Sequence, residues 1–250
     1  MKPGIKPGFY LYNINAAMYE QIIKELKKLS DKDVATNSQR FFKTGSGEYG
    51  EGSVFRGIRV PALRKLVKQY RDINFQDTSK LLKSKFHEDR LLSLFIFVDK
   101  YKKADDILRQ KIHTHYLKNT KYINNWDLVD TSAVHIIGDF LKDKSKAPLH
   151  KLAKSKVLWE RRIAIMATFN FIRAGEFDET LKLAKILLKD EEDLIHKAVG
   201  WMLREIGNRK LKVEEEFLKK YYQSMPRTML RYAIEKFPEP KRKKYLQGKI

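Results

Sequence analysis

Arg162-Ile163-Ala164-Ile165-Met166 belongs to a set of stretches that return at a fixed interval. Arg90, Trp126, Arg162 and Ala198 are each 36 residues apart. Around them the apolar pattern recurs as Leu91-Leu92-Ser93-Leu94-Phe95 and Val199-Gly200-Trp201-Met202. A period of about 36 residues is the size of a helix pair in a HEAT-like or related repeat. Such pairs stack into a curved solenoid whose equivalent positions line one concave face. The spacing predicts an all-α protein, an α-solenoid of HEAT-like antiparallel helix pairs with a concave basic face. A globular helical bundle with coincidental spacing is the competing reading.

Helix signals run through the rest of the chain. Ile22, Ile23, Leu26 and Leu29 form one apolar stripe with lysines opposite. Pro61 sits where a first helical turn would be, ahead of Leu63, Leu66 and Val67. Further amphipathic stretches cover about 88–102, 105–118, 126–141, 146–155, 158–173, 177–188, 192–206, 212–223 and 227–236. Gly175, Gly207 and Pro226 punctuate them, and the short connections imply antiparallel neighbours. One domain over 1–250 is expected, with an irregular N-terminal arm over 1–15.

The exception is 40–57, which holds five of the 12 glycines and reads as a long loop, functional or tightly packed. Within it Gly45-Ser46-Gly47-Glu48-Tyr49-Gly50 has the literal spacing of a dinucleotide fingerprint. No strand signal precedes it and no helix opens from it, and Glu48 and Glu51 would repel a pyrophosphate, so that reading is rejected.

Charge narrows the function. Lysine and arginine total 52 against 31 acids, a net charge of +21. Such an excess points to a polyanionic partner, most simply nucleic acid; a lysine-rich solvated face is the plain alternative. With no cysteine there are no disulfides, thiolate metal sites or cysteine nucleophiles. His113 and His115 are two apart and diverge on a helix, so no metal site is expected, and no cofactor. No stretch approaches the roughly 18 apolar residues of a membrane span. A cytoplasmic monomer is the expectation.

Candidate chemistry gathers on the 36-residue register. Trp126 and Asp130 are one helical turn apart in Asn125-Trp126-Asp127-Leu128-Val129-Asp130 and so share a face. Arg162 and Trp201 follow at spacings that bring them to the same surface. A carboxylate beside an arginine stays ionised, and indole faces add attraction for a cation. From spacing alone, a buried Asp–Arg pair bracing two repeats serves as well.

These residues carry a resemblance. Gln39-Arg40-Phe41-Phe42-Lys43-Thr44-Gly45, Phe55-Arg56-Gly57-Ile58-Arg59-Val60-Pro61, Asn125 to Asp130, Trp159-Glu160-Arg161-Arg162-Ile163-Ala164, Lys197 to Glu205 and Arg227 to Glu235 are the matching stretches. Over about 18–237 the chain resembles DNA alkylation repair proteins of the AlkD type, the HEAT-like alkylpurine DNA glycosylases. The resemblance puts the catalytic carboxylate on Asp130, the site tryptophans on Trp126 and Trp201, and the site arginine on Arg162. It implies hydrolysis of the N-glycosidic bond of cationic N3- or N7-alkylated purines in duplex DNA, with Arg162 holding a flanking phosphate and keeping Asp130 ionised. Candidate DNA contacts are Lys43, Lys197, Arg227 and Arg231. Phe41 or Phe42 falls where some members place a DNA-contacting tyrosine. A DNA-binding module without chemistry is the alternative.

Overall fold

Local chemistry sets the helix boundaries. The side-chain oxygens of Asp31 and Asn74 accept from the backbone N–H groups of Val34 (3.0 Å) and Asp77 (2.8 Å), capping two helices. Pro61 enters the first turn of a third, where its missing N–H has no consequence. The computed structural model describes the backbone from residue 7 and the side chains from residue 18. Its helices are α1 (Pro7–Lys28), α2 (Lys32–Phe41), α3 (Val60–Gln69), α4 (Phe75–Leu82), α5 (His87–Lys103), α6 (Asp106–Lys118), α7 (Trp126–Asp130), α8 (Asp139–Leu141), α9 (Ala147–Ala153), α10 (Leu158–Ala167), α11 (Phe169–Arg173), α12 (Asp178–Ile186), α13 (Asp193–Tyr221), α14 (Arg227–Ala233) and α15 (Glu239–Leu246). The expected all-α class holds: among the described residues there is no β-strand, and Val54 and Phe86 pair as an isolated bridge. None of these helices is long and apolar enough to cross a membrane. Of the arm expected over 1–15, the first six residues lie outside the described residues. From Pro7 the backbone is helical, because proline's fixed φ suits a first helical turn.

The chain forms two units. One runs to Leu108 and includes Lys121–Leu128; the other comprises Arg109–Thr120 and Val129–Ile250. In the first, α3 and α4 pack on α5, whose residues His87 to Val98 are all buried. A helix shielded on every side belongs at the centre of a unit.

Glu88, at the start of α5, shapes the glycine-rich loop. Its buried carboxylate accepts from the backbone N–H groups of Arg56 (2.8 Å), Gly57 (2.8 Å) and Ile58 (3.1 Å). Asp89 takes the Arg56 guanidinium in a fork at 2.6 and 2.9 Å. Gly57 has φ +80°, and a Cβ there would fall 2.0 Å from the Asp31 carbonyl oxygen. Two N–H groups of the rejected fingerprint are occupied internally: Gly45 N–H donates to Glu48 and Gly47 N–H to Glu51, each at 2.9 Å. The loop is therefore packed and self-satisfied.

In the second unit α9 and α13 pack on α10, and α14 packs on α13. Helices expected to be continuous over 126–141 and 158–173 are broken. The first stops at Asp130, turns through Thr131 and Ser132, and resumes as a π-helical turn over Val134–Gly138. Ser132 N–H donates to Val129 O at 3.1 Å, three residues back, which tightens the chain out of α-helical register. The second breaks at Thr168, whose hydroxyl donates to Ile165 O at 2.7 Å and competes with the backbone ladder. Gly207, expected to end a helix, does not; α13 continues past it and kinks at Lys210 (φ −149°, ψ 80°).

One local device occurs in both units. Arg90 donates to the carbonyls of Ser84 and Lys85 (3.1 and 3.2 Å), and the Ser84 hydroxyl donates to Asp89 (2.7 Å). Arg161 donates to the carbonyls of Ser155 and Lys156 (3.0 and 3.1 Å), and the Ser155 hydroxyl donates to Glu160 (2.6 Å). Each residue of the second set follows its counterpart by 71 positions. Arg161, not Arg162, is thus the counterpart of Arg90, one residue short of twice the 36-residue interval.

Glu214 on α13 is 1% exposed. Burial, then the adjacent Glu215, push its carboxyl up to about 8, against Arg204 and Lys241. The folded chain keeps a proton that the unfolded chain releases above about 4.5. Stability from this group is therefore full below that value and lost as pH rises through about 8. Glu214→Gln should remove this slope, so thermal melts should show a larger gain over wild type at pH 8 than at pH 5. Equal differences at both values would refute it.

Candidate active site

Asp130 closes α7, and the helix break just beyond it leaves its carboxylate facing α10. Arg162 of α10 meets it fork to fork: Nε donates to Oδ1 at 2.9 Å and an Nη to Oδ2 at 2.8 Å. The other terminal nitrogen of Arg162 donates to the Leu194 carbonyl at the start of α13. One guanidinium thereby ties three helices together. Its side chain is 6% exposed against 15% for Asp130. All three nitrogens of Arg162 donate to groups inside the protein.

Behind Asp130 the Tyr116 hydroxyl and Ser132 Oγ lie 2.9 Å apart, both buried. Burial raises the Tyr116 phenol, Ser132 opposes the rise and Asp130 adds to it. The buried phenol braces Ser132 by this hydrogen bond. Sequence reasoning missed both residues, because a tyrosine on α6 and a serine in the turn after α7 carry no spacing signal.

Trp201 lies on α13, half-buried. Its indole N–H donates to Glu205 at 3.3 Å, and its ring sits 6.2 Å from Phe169. Glu205 in turn accepts from Arg209 at 2.7 Å, and Arg173 and Arg209 approach the Phe169 ring at 4.5 and 5.7 Å. The preceding residue fixes the backbone: a Cβ on Gly200 would fall 2.4 Å from the Met229 carbonyl oxygen and 2.5 Å from Tyr232 Cβ. Only a residue without a side chain lets α13 approach α14 so closely.

Trp126 opens α7, in the first unit, one turn before Asp130 as the spacing predicts. Its indole stacks on Phe42 (5.4 Å, 22°) and meets Phe41 edge-on (6.0 Å, 71°). Phe42 stacks in turn on Phe55 (5.1 Å), and Phe55 on His87 (4.7 Å). His87 Nε2 lies 2.8 Å from Asp127 Oδ2. Loop 40–57 thus supplies two of the rings that hold Trp126. Phe42, Phe55, His87 and Asp127 form one cluster with Trp126 inside the first unit; the paired phenylalanines in the loop were a visible signal, the lone histidine was not. Phe41 is 66% exposed, an unusual position for a phenyl ring.

The other candidate DNA contacts are dispersed. Lys43 is exposed at φ +50°. Lys197 Nζ lies 2.7 Å from Asp193. Arg227 and Arg231 are exposed one turn apart on α14, and Arg227 donates to the Leu246 carbonyl at 2.6 Å.

Comparison with known proteins places the chain. The family model described as DNA alkylation repair enzyme matches residues 22–237. This chain belongs to the DNA alkylation repair enzyme family. Its fold is similar to that of a predicted DNA alkylation repair enzyme from Enterococcus faecalis, at TM-score 0.64 and 16% identity, covering 84% of this chain and 97% of that one. It is also similar to smu.31 from Streptococcus mutans UA159, at TM-score 0.50 and 18% identity, covering 89% of this chain and 100% of that one. No curated protein matches.

The Gly200 contact is testable. Gly200→Ala should cost about 1–3 kcal/mol by overpacking, measured by denaturant unfolding. It should also change the emission of Trp201 in a protein whose other tryptophans are replaced by phenylalanine. A neutral Gly200→Ala would mean that α13 and α14 have room to separate.

Proposed function

We propose that this chain is a DNA glycosylase that hydrolyses the N-glycosidic bond of cationic N3- or N7-alkylated purines, such as 3-methyladenine and 7-methylguanine, in duplex DNA. The observation that carries this reading is Asp130: a carboxylate held by both oxygens on a partly exposed side chain, one turn from Trp126 in a chain of the alkylation repair family.

The chemistry suits a site that lacks an acid aimed at the base. Alkylation at N7 or N3 makes the purine cationic, so it departs as a neutral base without protonation. The remaining demand is to stabilise the oxocarbenium-like sugar and deliver water to its anomeric carbon. In this reading Asp130 supplies the negative charge and orients the water. Arg162 positions Asp130: a fixed carboxylate stabilises developing charge without reorganising during the reaction. Trp126 and Trp201 each offer an indole face to the cation. A solenoid with a basic concave face would hold the duplex by its backbone, with no deep base pocket, unlike the usual base-flipping arrangement. A monomer without cofactor suffices for these steps.

The test is release of methylated bases from alkylated duplex DNA. Asp130→Asn should lower the single-turnover rate on the order of 10²- to 10³-fold, the loss usual for a preorganised electrostatic contact. Because the change leaves a buried guanidinium short of charge, a melting curve must accompany it. A folded, DNA-binding Asp130→Asn protein that releases base at the wild-type rate would overturn the mechanism. Wild-type DNA binding without any release would favour a non-catalytic module.

Salt dependence tests the partner separately. If six to ten phosphates are engaged, affinity should fall by roughly 10³ to 10⁵ between 50 and 200 mM salt. A flat profile would count against DNA.

A further inference from the structure

The family match ends at residue 237, yet the chain continues into α15, with the sequence Glu239-Pro240-Lys241-Arg242-Lys243-Lys244-Tyr245-Leu246. This helix is docked. Tyr245 is 1% exposed and meets Tyr222 (5.4 Å) and Phe237 (5.7 Å) edge to face. Lys241 pairs with Glu215, and Arg242 lies 3.0 Å from Glu239. Those two pairs use the one acid of α15 and its nearest neighbour. Among the described residues, the exposed Lys243, Lys244 and Lys249 form no ion pair.

Their location gives these lysines a context. Arg227 of α14 donates to the Leu246 carbonyl at 2.6 Å, which joins the end of α15 to the face carrying Arg227 and Arg231. Lys243 and Lys244 lie within one turn of that contact. Lys249 returns toward it, its backbone N–H donating to Lys244 O at 2.9 Å. Five cations therefore flank one hydrogen bond between α14 and the end of α15, and none of Lys243, Lys244 and Lys249 is ion-paired among the described residues. A row of phosphates would neutralise them and release counterions.

We propose that α15 and the turn after it extend the DNA-binding surface, with Lys243, Lys244 and Lys249 joining Arg227 and Arg231 on the phosphodiester backbone. The proposal rests on the reading that duplex DNA is the substrate. Its test compares wild type with the triple variant Lys243→Ala, Lys244→Ala, Lys249→Ala on an undamaged duplex, from about 50 to 200 mM salt. The slope of log affinity against log salt should become shallower by roughly 2 to 3 in the triple variant, close to 0.9 per lost phosphate contact. A triple Lys→Arg variant should keep the wild-type slope. Melting temperature should be unchanged, since the three side chains are exposed.

An unchanged slope in the triple variant, with wild type binding DNA in a salt-dependent way, overturns this proposal and leaves the glycosylase reading standing. A wild type without DNA affinity overturns both. Binding to phosphatidylserine vesicles that the triple variant loses, with its DNA slope intact, assigns the patch to a lipid surface and also overturns it.

Discussion

The buried guanidinium of Arg162 is the constraint on which the candidate site depends. A permanent cation taken out of water must find partners for its charge and its N–H groups, or it costs several kcal/mol. Asp130 supplies the charge and two acceptors, and the Leu194 carbonyl supplies a third. The ends of α7 and α13 are held to α10 by this demand. The pair is better understood as a geometric clamp than as a source of stability, since a well-packed apolar replacement is often as stable. What an apolar replacement could not do is hold a carboxylate at a fixed place.

In each unit the candidate residues owe their positions to interruptions of regular structure. Asp130 reaches α10 because its helix stops there, and Trp201 reaches its place because Gly200 presents no side chain to α14. Phe42 reaches Trp126 because the loop that carries it is drawn onto α5 by three N–H groups converging on Glu88. Each interruption has backbone or carboxylate partners nearby, so little hydrogen bonding is lost.

The sequence made the helices legible, and with them the pairing of Asp130 with Arg162. Apolar periodicity and a 36-residue interval are local or regular signals, and both survive in a single chain. The breaks at Thr131–Ser132 and Thr168 were not legible. They depend on hydroxyl and backbone competition inside stretches whose apolar pattern continues unbroken. Gly207 misled for the converse reason: a glycine suggests a stop, but the helix carries on to Lys210 and turns there. Arg161 and Arg162 show the limit of counting. Adjacent arginines both suit the register, and only the hydrogen bonds reveal that Arg161 repeats Arg90 while Arg162 takes the carboxylate. Phe42 and Phe55 meet His87 through contacts 32 or more residues long, with no period to announce them.

Phe41 is 66% exposed, in a chain of net charge +21. An exposed phenyl normally invites copies of a protein to stick together. Here every copy repels every other, and the repulsion reaches about 10 Å at 0.1 M ionic strength, well beyond the range of a ring-to-ring contact. The same charge that draws in a polyanion thus keeps the molecules colloidally apart. Neutralising the charge would lift that protection, so the protein should be least soluble near charge balance with its own ligand, and most soluble with the ligand absent or in excess.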